Sequence, residues 1–242
     1  MIAQALRPYR AVPGTVIALL VLCVWLQLMF AAAQPRPLAR ASALQAPPAG
    51  PGLALIRHFE PLPAAHLLTL YLQVYDNQPG ISIPYRDLDY SRVGEWLRTI
   101  LGLDPGGQYP LLMATQLYAQ VPDPARQRYM LDFAYDQFFV DPERRWRWLA
   151  HGAIMAKHRL NDLPLALKFA RAIAEHSSSA PAWARQMHIF LLEDTGEFEA
   201  ARVLLGGLLV SGTVTDMHER ILLLESLERI KAAENSAGVT KR

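Results

Sequence analysis

The feature that most constrains this chain is a long apolar run near its N-terminus. No charged residue stands between Val12 and Ala33, and Gln27 is the one strongly polar residue between Thr15 and Ala33. About 20 apolar residues in a helix cross the ~30 Å hydrocarbon core of a bilayer. The run therefore predicts a membrane-spanning helix over 12–33 that contacts lipid and sends the rest of the chain across the membrane.

Two interpretations of this run stay open. In the first it is an uncleaved single-pass anchor in a bacterial inner membrane. Arg7 and Arg10, in a short basic tail over 1–11, then keep the N-terminus in the cytoplasm and the C-terminal domain in the periplasm. In the second it is a signal sequence, because Ala31, Ala32 and Ala33 resemble the small residues before a cleavage site, and the mature protein is secreted or periplasmic.

Residues 34–52 form a linker rich in proline and alanine, with five prolines and two glycines among nineteen residues. Proline lacks a backbone N–H and has a fixed φ, so we expect neither a helix nor a paired strand here. Fully extended, such a segment reaches on the order of 60 Å. The sequence therefore predicts a spacer between the span and a domain over 53–234.

The net charge of +2 is unevenly distributed. Four arginines and no acidic residue precede position 53, whereas the remainder carries 20 basic and 22 acidic residues. A mildly acidic body lacks the positive surface that binds phosphate backbones, so we expect no nucleic-acid partner. The single cysteine, Cys23, leaves no disulfide framework and no multi-cysteine metal site.

The body is predicted to be all-α. Apolar residues recur at helical spacing, and Pro, Gly, Asn, Asp or Ser stands at each boundary. Short turns between such helices are typical of antiparallel hairpins packed side by side, here followed by a flexible tail over 235–242. The predicted helices are His66–Asp76, Leu88–Gly102, Tyr109–Gln120, Pro124–Val140, Pro142–Arg159, Leu163–His176, Pro181–Asp194, Phe198–Val210 and Thr215–Ala233.

Part of the body repeats itself. A shift of 35 residues superposes Trp148 on Trp183, Ile154 on Ile189 and Met155 on Phe190. The same shift superposes the turn Asn161-Asp162-Leu163 on Gly196-Glu197-Phe198, and Ala166 on Ala201. With Asp-Pro pairs at 104–105 and 141–142, the pattern resembles the tetratricopeptide repeat family. The resemblance implies a right-handed solenoid of about four helix hairpins plus a closing helix.

In that family the first helices of the units line a concave surface that binds a peptide or a helix. The resemblance therefore implies a binding face, although the same residues at helical spacing more often form the core between hairpins. The residues that the 35-residue alignment places on this face are Met113, Gln116, Gln120, Trp148, His151, Met155, His158, Trp183, Gln186 and Phe190.

No catalytic motif is present, so we expect a protein that is not an enzyme and holds no cofactor. His151 and His158 share a helical face but stand about 10 Å apart along it, too far for one metal, and no metal is expected. The alternative is an envelope enzyme, a hydrolase or a glycan-modifying subunit, with its site in the 77–90 loop. Its candidate residues are Arg86, Asp87, Asp89 and Tyr90.

Two further features keep alternatives open. The 77–87 segment is long for a turn and is either functional or a cap on the open end of the stack. The cluster from Arg144 to Trp148 contacts lipid head groups, or its tryptophans pack between hairpins while its arginines face water or acidic residues. These patterns favour a membrane-tethered scaffold that binds protein partners of the envelope, with self-assembly through the outer helices as a further hypothesis.

Overall fold

The computed structural model describes residues 12–33, 41–212 and 214–240, with side chains up to residue 234. The predicted tail over 1–11, linker residues 34–40 and residues 241–242 lie outside this part of the chain. The fold is almost entirely helical, as the periodicity predicts. Its helices are α1 (Gly14–Ala33), α2 (Pro51–Phe59), α3 (Pro61–Val74), α4 (Tyr90–Leu103), α5 (Tyr109–Leu112), α6 (Pro124–Phe138), α7 (Pro142–His158), α8 (Leu163–His176), α9 (Ala182–Asp194), α10 (Phe198–Val210) and α11 (Met217–Thr240).

The chain divides into two compact units. The first comprises residues 1–41 and 78–81, and its main element is α1. This helix has a mean hydropathy of 2.6 and no buried residue, and it is the one helix in the described residues that is long and apolar enough to cross a membrane. A signal sequence can be equally long and apolar, so an anchor and a signal sequence remain the two interpretations.

In the second unit, residues 42–77 and 82–242, each long helix packs against its neighbours in the chain. Contacts run from α3 to α4, from α4 to α6, and then between successive helices up to α11. Ala166 of α8 and Ala201 of α10 are fully buried, at the positions where the sequence predicts small residues. A side chain of one carbon lets two helices approach closely, and this explains why both positions hold alanine.

Aspartates fix where several helices begin. The carboxylates of Asp89, Asp123 and Asp162 accept hydrogen bonds from backbone N–H groups in the first turns of α4, α6 and α8. These N–H groups have no partner within their own helices, and a capping carboxylate stabilises them. Pro124 and Pro142 occupy first-turn positions, where a missing N–H costs little.

The predicted repeat turns share one backbone feature. Asn161 has φ 52° and Gly196 has φ 78°, both in the left-handed region. Of the twenty residue types, glycine adopts this conformation most easily and asparagine is among the next best. The two turns therefore stop α7 and α9 in the same way, 35 residues apart in the sequence.

The predicted helix over 109–120 is not regular. After α5 the backbone forms a π-helical turn at Met113–Leu117 and a 3₁₀ turn at Tyr118–Gln120. Met113 is fully buried within this segment, and the buried hydroxyl of Thr115 donates to the carbonyl of Leu111. A π-turn adds a residue to a helical turn, which a periodicity of 3.6 does not reveal.

The start of the body differs most from the sequence prediction. Helix α2 begins at Pro51, inside the predicted linker, because Pro51 occupies a first-turn position and apolar residues follow it. Upstream, Leu44 is buried, the indole of Trp96 donates to the carbonyl of Gln45 at 2.8 Å, and the hydroxyl of Tyr75 donates to that of Ser42. The second half of the predicted spacer is therefore bound to the body.

The other differences are local. Asn77–Gln78 and Ile81–Ser82 form a short two-stranded pair, β1 and β2, followed by a 3₁₀ turn at Tyr85–Asp87. Where a flexible tail from residue 235 is expected, α11 continues to Thr240. Residues 234–237 contain no proline or glycine, and the helix continues through Gly238.

Candidate functional site

The register between α7 and α9 decides which side chains share a face. The N–H of Asp162 donates to the carbonyl of Ala156, and the N–H of Glu197 donates to that of Leu192. The two donors are 35 residues apart but the two acceptors are 36 apart. The turn after α7 therefore holds one more residue than the turn after α9. Within the helices, position n of α7 therefore corresponds to n+36 of α9.

This register corrects the 35-residue alignment of the two helices. Under the 35-residue shift Ile154 is matched with Ile189, but Ile154 is 47% exposed and Ile189 only 3%. Under the 36-residue shift Ile154 matches the half-exposed Phe190, and the buried Ala153 matches Ile189. The single-residue difference lies in the turn, where it does not disturb either helix.

An apolar groove of about 650 Å³ runs between α9 and α11. We define the apolar groove by the side chains of Trp183, Met187, Phe190, Leu222 and Leu223, which line it together with polar residues at its ends. Trp183 and Leu222 are each 54% exposed, although both are large and apolar. Large apolar side chains that stay exposed along a groove mark a surface suited to binding.

The groove continues onto α7. A smaller cavity of about 150 Å³ shares Met187 and Phe190 with it and reaches Ile154. On the same side of α7, the ring of Trp146 packs edge-to-face against Trp183, with 5.7 Å between ring centroids. Helices α7, α9 and α11 thus supply one connected apolar surface.

Polar contacts hold the walls of the groove together. The amide of Gln186 on α9 donates to the carboxylate of Glu219 on α11 at 2.7 Å. At the other end the guanidinium of Arg229 donates to both carboxylate oxygens of Glu193, at 2.8 and 3.0 Å. A bidentate pair of this kind fixes orientation as well as distance. The groove is therefore formed before anything binds.

The charge around the groove is acidic. Asp216 and Glu219 lie at its α11 end, and Asp194 and Lys157 form an ion pair beside the smaller cavity. One of these three carboxylates is balanced by the lysine. The surface therefore favours a partner that carries apolar side chains and a basic residue.

Glu143, at the start of α7, positions the start of α9. Its carboxylate accepts hydrogen bonds from the backbone N–H groups of Ser178 and Ser179 at 3.0 and 2.7 Å, and from the hydroxyl of Ser178. Hydrogen bonds from these serines lower the pKa of Glu143 to about 2. The ionised carboxylate thus orders the turn that leads into the groove-forming helix.

The ten residues predicted for the binding face do not lie on one surface. Trp183, Gln186 and Phe190 line the groove, and His158 lines the smaller cavity. Met113 and Met155 are buried in the core, and Trp148 is half-buried and donates to the side chain of Gln108. The remaining three are the exposed Gln116, the half-buried Gln120 that contacts Met155 and Arg159, and the half-buried His151, whose pKa burial lowers.

Sequence reasoning missed four apolar residues of this surface. Ile154 and Met187 become visible only with the 36-residue register. Leu222 and Leu223 belong to α11, which the sequence interpretation treats as a closing helix rather than as part of the face. The large residues at helical spacing in α11 were the available signal.

The cluster from Arg144 to Trp148 divides between surface and core. Both tryptophans pack against neighbouring elements, as one of the two interpretations expects. Arg145 differs from that expectation, because it is only 1% exposed. Its guanidinium donates to the carbonyls of Gln137 and Pro105 at 2.6 and 2.8 Å.

The 77–90 residues proposed for an enzyme occupy separate environments. Asp89 caps α4, and the hydroxyl of Ser91 holds the pKa of its carboxyl below the ordinary value. Tyr90 is buried, its hydroxyl donates to the carbonyl of Tyr118 at 2.9 Å, and burial raises its pKa to about 12. Arg86 and Asp87 are exposed and 3.9 Å apart. These four side chains do not converge on a shared centre.

Comparison with family models, curated proteins and solved structures gave no match. Within the described ranges, no group of three His, Cys, Asp or Glu side chains is arranged to hold a metal ion. The connected apolar surface of α7, α9 and α11 is the candidate functional site.

Proposed function

We propose that this chain is a membrane-tethered protein–protein interaction module of the bacterial cell envelope. Helix α1 serves as a single-pass anchor with the N-terminus in the cytoplasm, and the helical body lies in the periplasm. The body is a degenerate right-handed solenoid of the tetratricopeptide type, supported by the packing of successive helices and by the two left-handed turns. The apolar groove binds one segment of a partner protein.

The observation that carries this proposal is the apolar groove itself. Its walls are held by Gln186–Glu219 and Arg229–Glu193, yet Trp183 and Leu222 remain exposed. Aromatic anchors surrounded by a polar rim are typical of sites where a few residues supply most of the binding energy. The acidic rim selects a helix or extended segment with apolar residues and a basic one.

Photo-crosslinking from the full chain in the membranes of its own cells tests the groove. A photoreactive amino acid at Met187 or Leu222 is expected to give a discrete adduct. The same probe at Val203 of α10, which is 61% exposed, is the matched control and should give none. Adding Trp183→Ala should abolish the adduct at Leu222, while unchanged thermal unfolding shows that the fold is intact.

Two results would overturn the proposal. One is an adduct of equal yield from Val203, and the other is an adduct at Leu222 that is insensitive to Trp183→Ala. The topology has its own test in a C-terminal reporter fusion that is active only outside the cytoplasm. A cytoplasmic C-terminus contradicts the periplasmic placement.

A further inference from the structure

Helices α2 and α3 turn apolar side chains toward solvent. In α3, Leu67, Leu70 and Val74 follow the spacing of a single helical stripe and are between 56% and 67% exposed. The opposite side of α3 buries Ala65 and Leu72 against the body. The exposed stripe is thus a second apolar surface, separate from the groove.

Helix α2 also presents its apolar side chains to solvent. None of its residues is buried, and Leu55, Ile56 and Phe59 are exposed on one side. Its basic residue faces the body instead, because the Arg57 guanidinium lies 2.8 Å from where a Cβ on Gly102 of α4 would stand. Leu53, on the same side as Arg57, packs against the core. Contiguous apolar side chains that stay exposed mark a surface that contacts a membrane or another protein.

The chain itself indicates what covers it. Helix α1 ends at Ala33, and the body already holds Ser42 and Leu44. Only residues 34–41 connect the two, and eight residues span at most about 30 Å when fully extended. If α1 is in the bilayer, the start of the body is therefore held within a short distance of the lipid surface.

The charge of this region fits the same surface. Arg36 and Arg40 stand between the span and the body, and no acidic residue precedes Glu60. Basic residues beside a membrane are attracted to anionic lipid head groups. Apolar side chains with neighbouring arginines are the composition of helices that lie in the membrane interface.

We propose that the outward apolar face of α2 and α3 rests on the lipid bilayer in which α1 is anchored, so that the body docks on the membrane surface. This inference rests on the anchor of the proposed function, but not on the groove or its partner. Leu55, Phe59, Leu67, Leu70 and Val74 insert at the level of the acyl chains nearest the head groups. The docked face contains no residue of the apolar groove.

Depth-dependent quenching of the full chain tests the docking. Single cysteines with an environment-sensitive fluorophore are placed in a Cys23→Ser background at Leu70, at Val203 as the control, and at Phe30 within α1. The protein is reconstituted into vesicles of phosphatidylethanolamine and phosphatidylglycerol that carry brominated acyl chains. Quenching by bromine at Leu70 is expected to exceed that at Val203 several-fold, with matching protection from aqueous iodide.

Each contrary result has a distinct meaning. If Phe30 is quenched by bromine while Leu70 responds only to iodide, the docking is wrong and the anchor stands. If Leu70 is shielded from iodide without bromine quenching, a second copy of the chain covers the face, and the docking is also wrong. If neither Phe30 nor Leu70 is quenched by bromine, the anchor and the docking fall together.

Discussion

At the scale of single residues, Arg145 is a charged side chain that lies inside the fold. It is almost fully buried, and burial lowers the pKa of its guanidinium. Its hydrogen bonds go to the carbonyls of Pro105 and Gln137 and to the side chain of Gln137. One arginine thereby joins the loop before α5, the end of α6 and the start of α7.

Replacing Arg145 with alanine is expected to destabilise the protein strongly. The substitution leaves a cavity and removes the donors to two carbonyls, so we expect a loss of about 2–4 kcal/mol in the free energy of unfolding. Arg144→Ala is the control, because the Arg144 side chain is exposed and its loss should cost less than about 0.5 kcal/mol. Urea denaturation of both variants measures the difference, and equal losses would show that burial is not the cause.

Two histidines make stability depend on pH. Burial lowers the pKa of His151 and of His188, and the Nδ1 of His188 is 2.7 Å from the carbonyl of Arg185. Because the folded pKa lies below the unfolded value of about 6.5, the unfolded chain binds protons first and stability falls as pH drops through that value.

The variant His188→Gln is therefore expected to lose less stability on acidification than the wild type. The comparison is between free energies of unfolding at about pH 7.5 and about pH 5.5, above and below the unfolded pKa of histidine. Carboxylates that do not interact with His188 contribute alike to both proteins and cancel in the comparison. An identical pH dependence in the two proteins would rule out His188 as a source.

At the scale of elements, the turns after α7 and α9 control where each helix stops. The sequence suffices to predict the bounds of α8 and α10, because the turns at Asn161-Asp162 and Gly196-Glu197 mark where they start and an apolar stripe continues along each. The sequence does not suffice to predict which side chains of α7 and α9 share a face. The turn after α7 has one residue more than the turn after α9, which shifts the register between the helices but leaves the periodicity within each helix unchanged. The 35-residue alignment places Met155 on the candidate binding face beside Phe190, whereas the 36-residue register matches it with Leu191, and both Met155 and Leu191 are buried.

Two glycine substitutions separate backbone conformation from packing. Neither Gly196 nor Gly207 has an atom within 4 Å of an added Cβ, so neither substitution causes a clash. At φ 78° Gly196→Ala is expected to cost about 1–2 kcal/mol, because an L-residue is strained there. Gly207→Ala, inside α10, is expected to gain about 0.5–1 kcal/mol from the lower entropy of the unfolded chain. Thermal unfolding should shift in opposite directions, and a shared direction would contradict the assignment of the turn.

At the scale of the whole molecule, the composition predicts an apolar N-terminal helix and a helical body, and both are present. The bound segment 42–45 and helix α2 could not be predicted, because proline and alanine give no periodicity and the contacts come from residues far along the chain. Trp96 lies 51 positions from Gln45. Local patterns carry no information about such pairings.

Leu44 provides a test of the bound segment. Leu44→Asp buries a charge in an apolar site and should release residues 42–50 from the body. Ala43→Asp is the control, because Ala43 is exposed. Limited proteolysis of the full chain in membranes should cleave the Leu44 variant in this segment several-fold faster than the control. Equal cleavage rates would show that Leu44 does not hold the segment.

The small number of residues between α1 and the body also bears on how the proposed groove would meet a partner. With α1 in the bilayer, a body held by eight residues searches a thin layer beside the membrane rather than the volume of the compartment. Confinement beside a surface raises the local concentration of the groove for a partner held at the same surface, as a short linker does for two sites within one molecule. A groove of modest intrinsic affinity would then bind a membrane-bound partner more fully than a freely diffusing partner with the same binding segment.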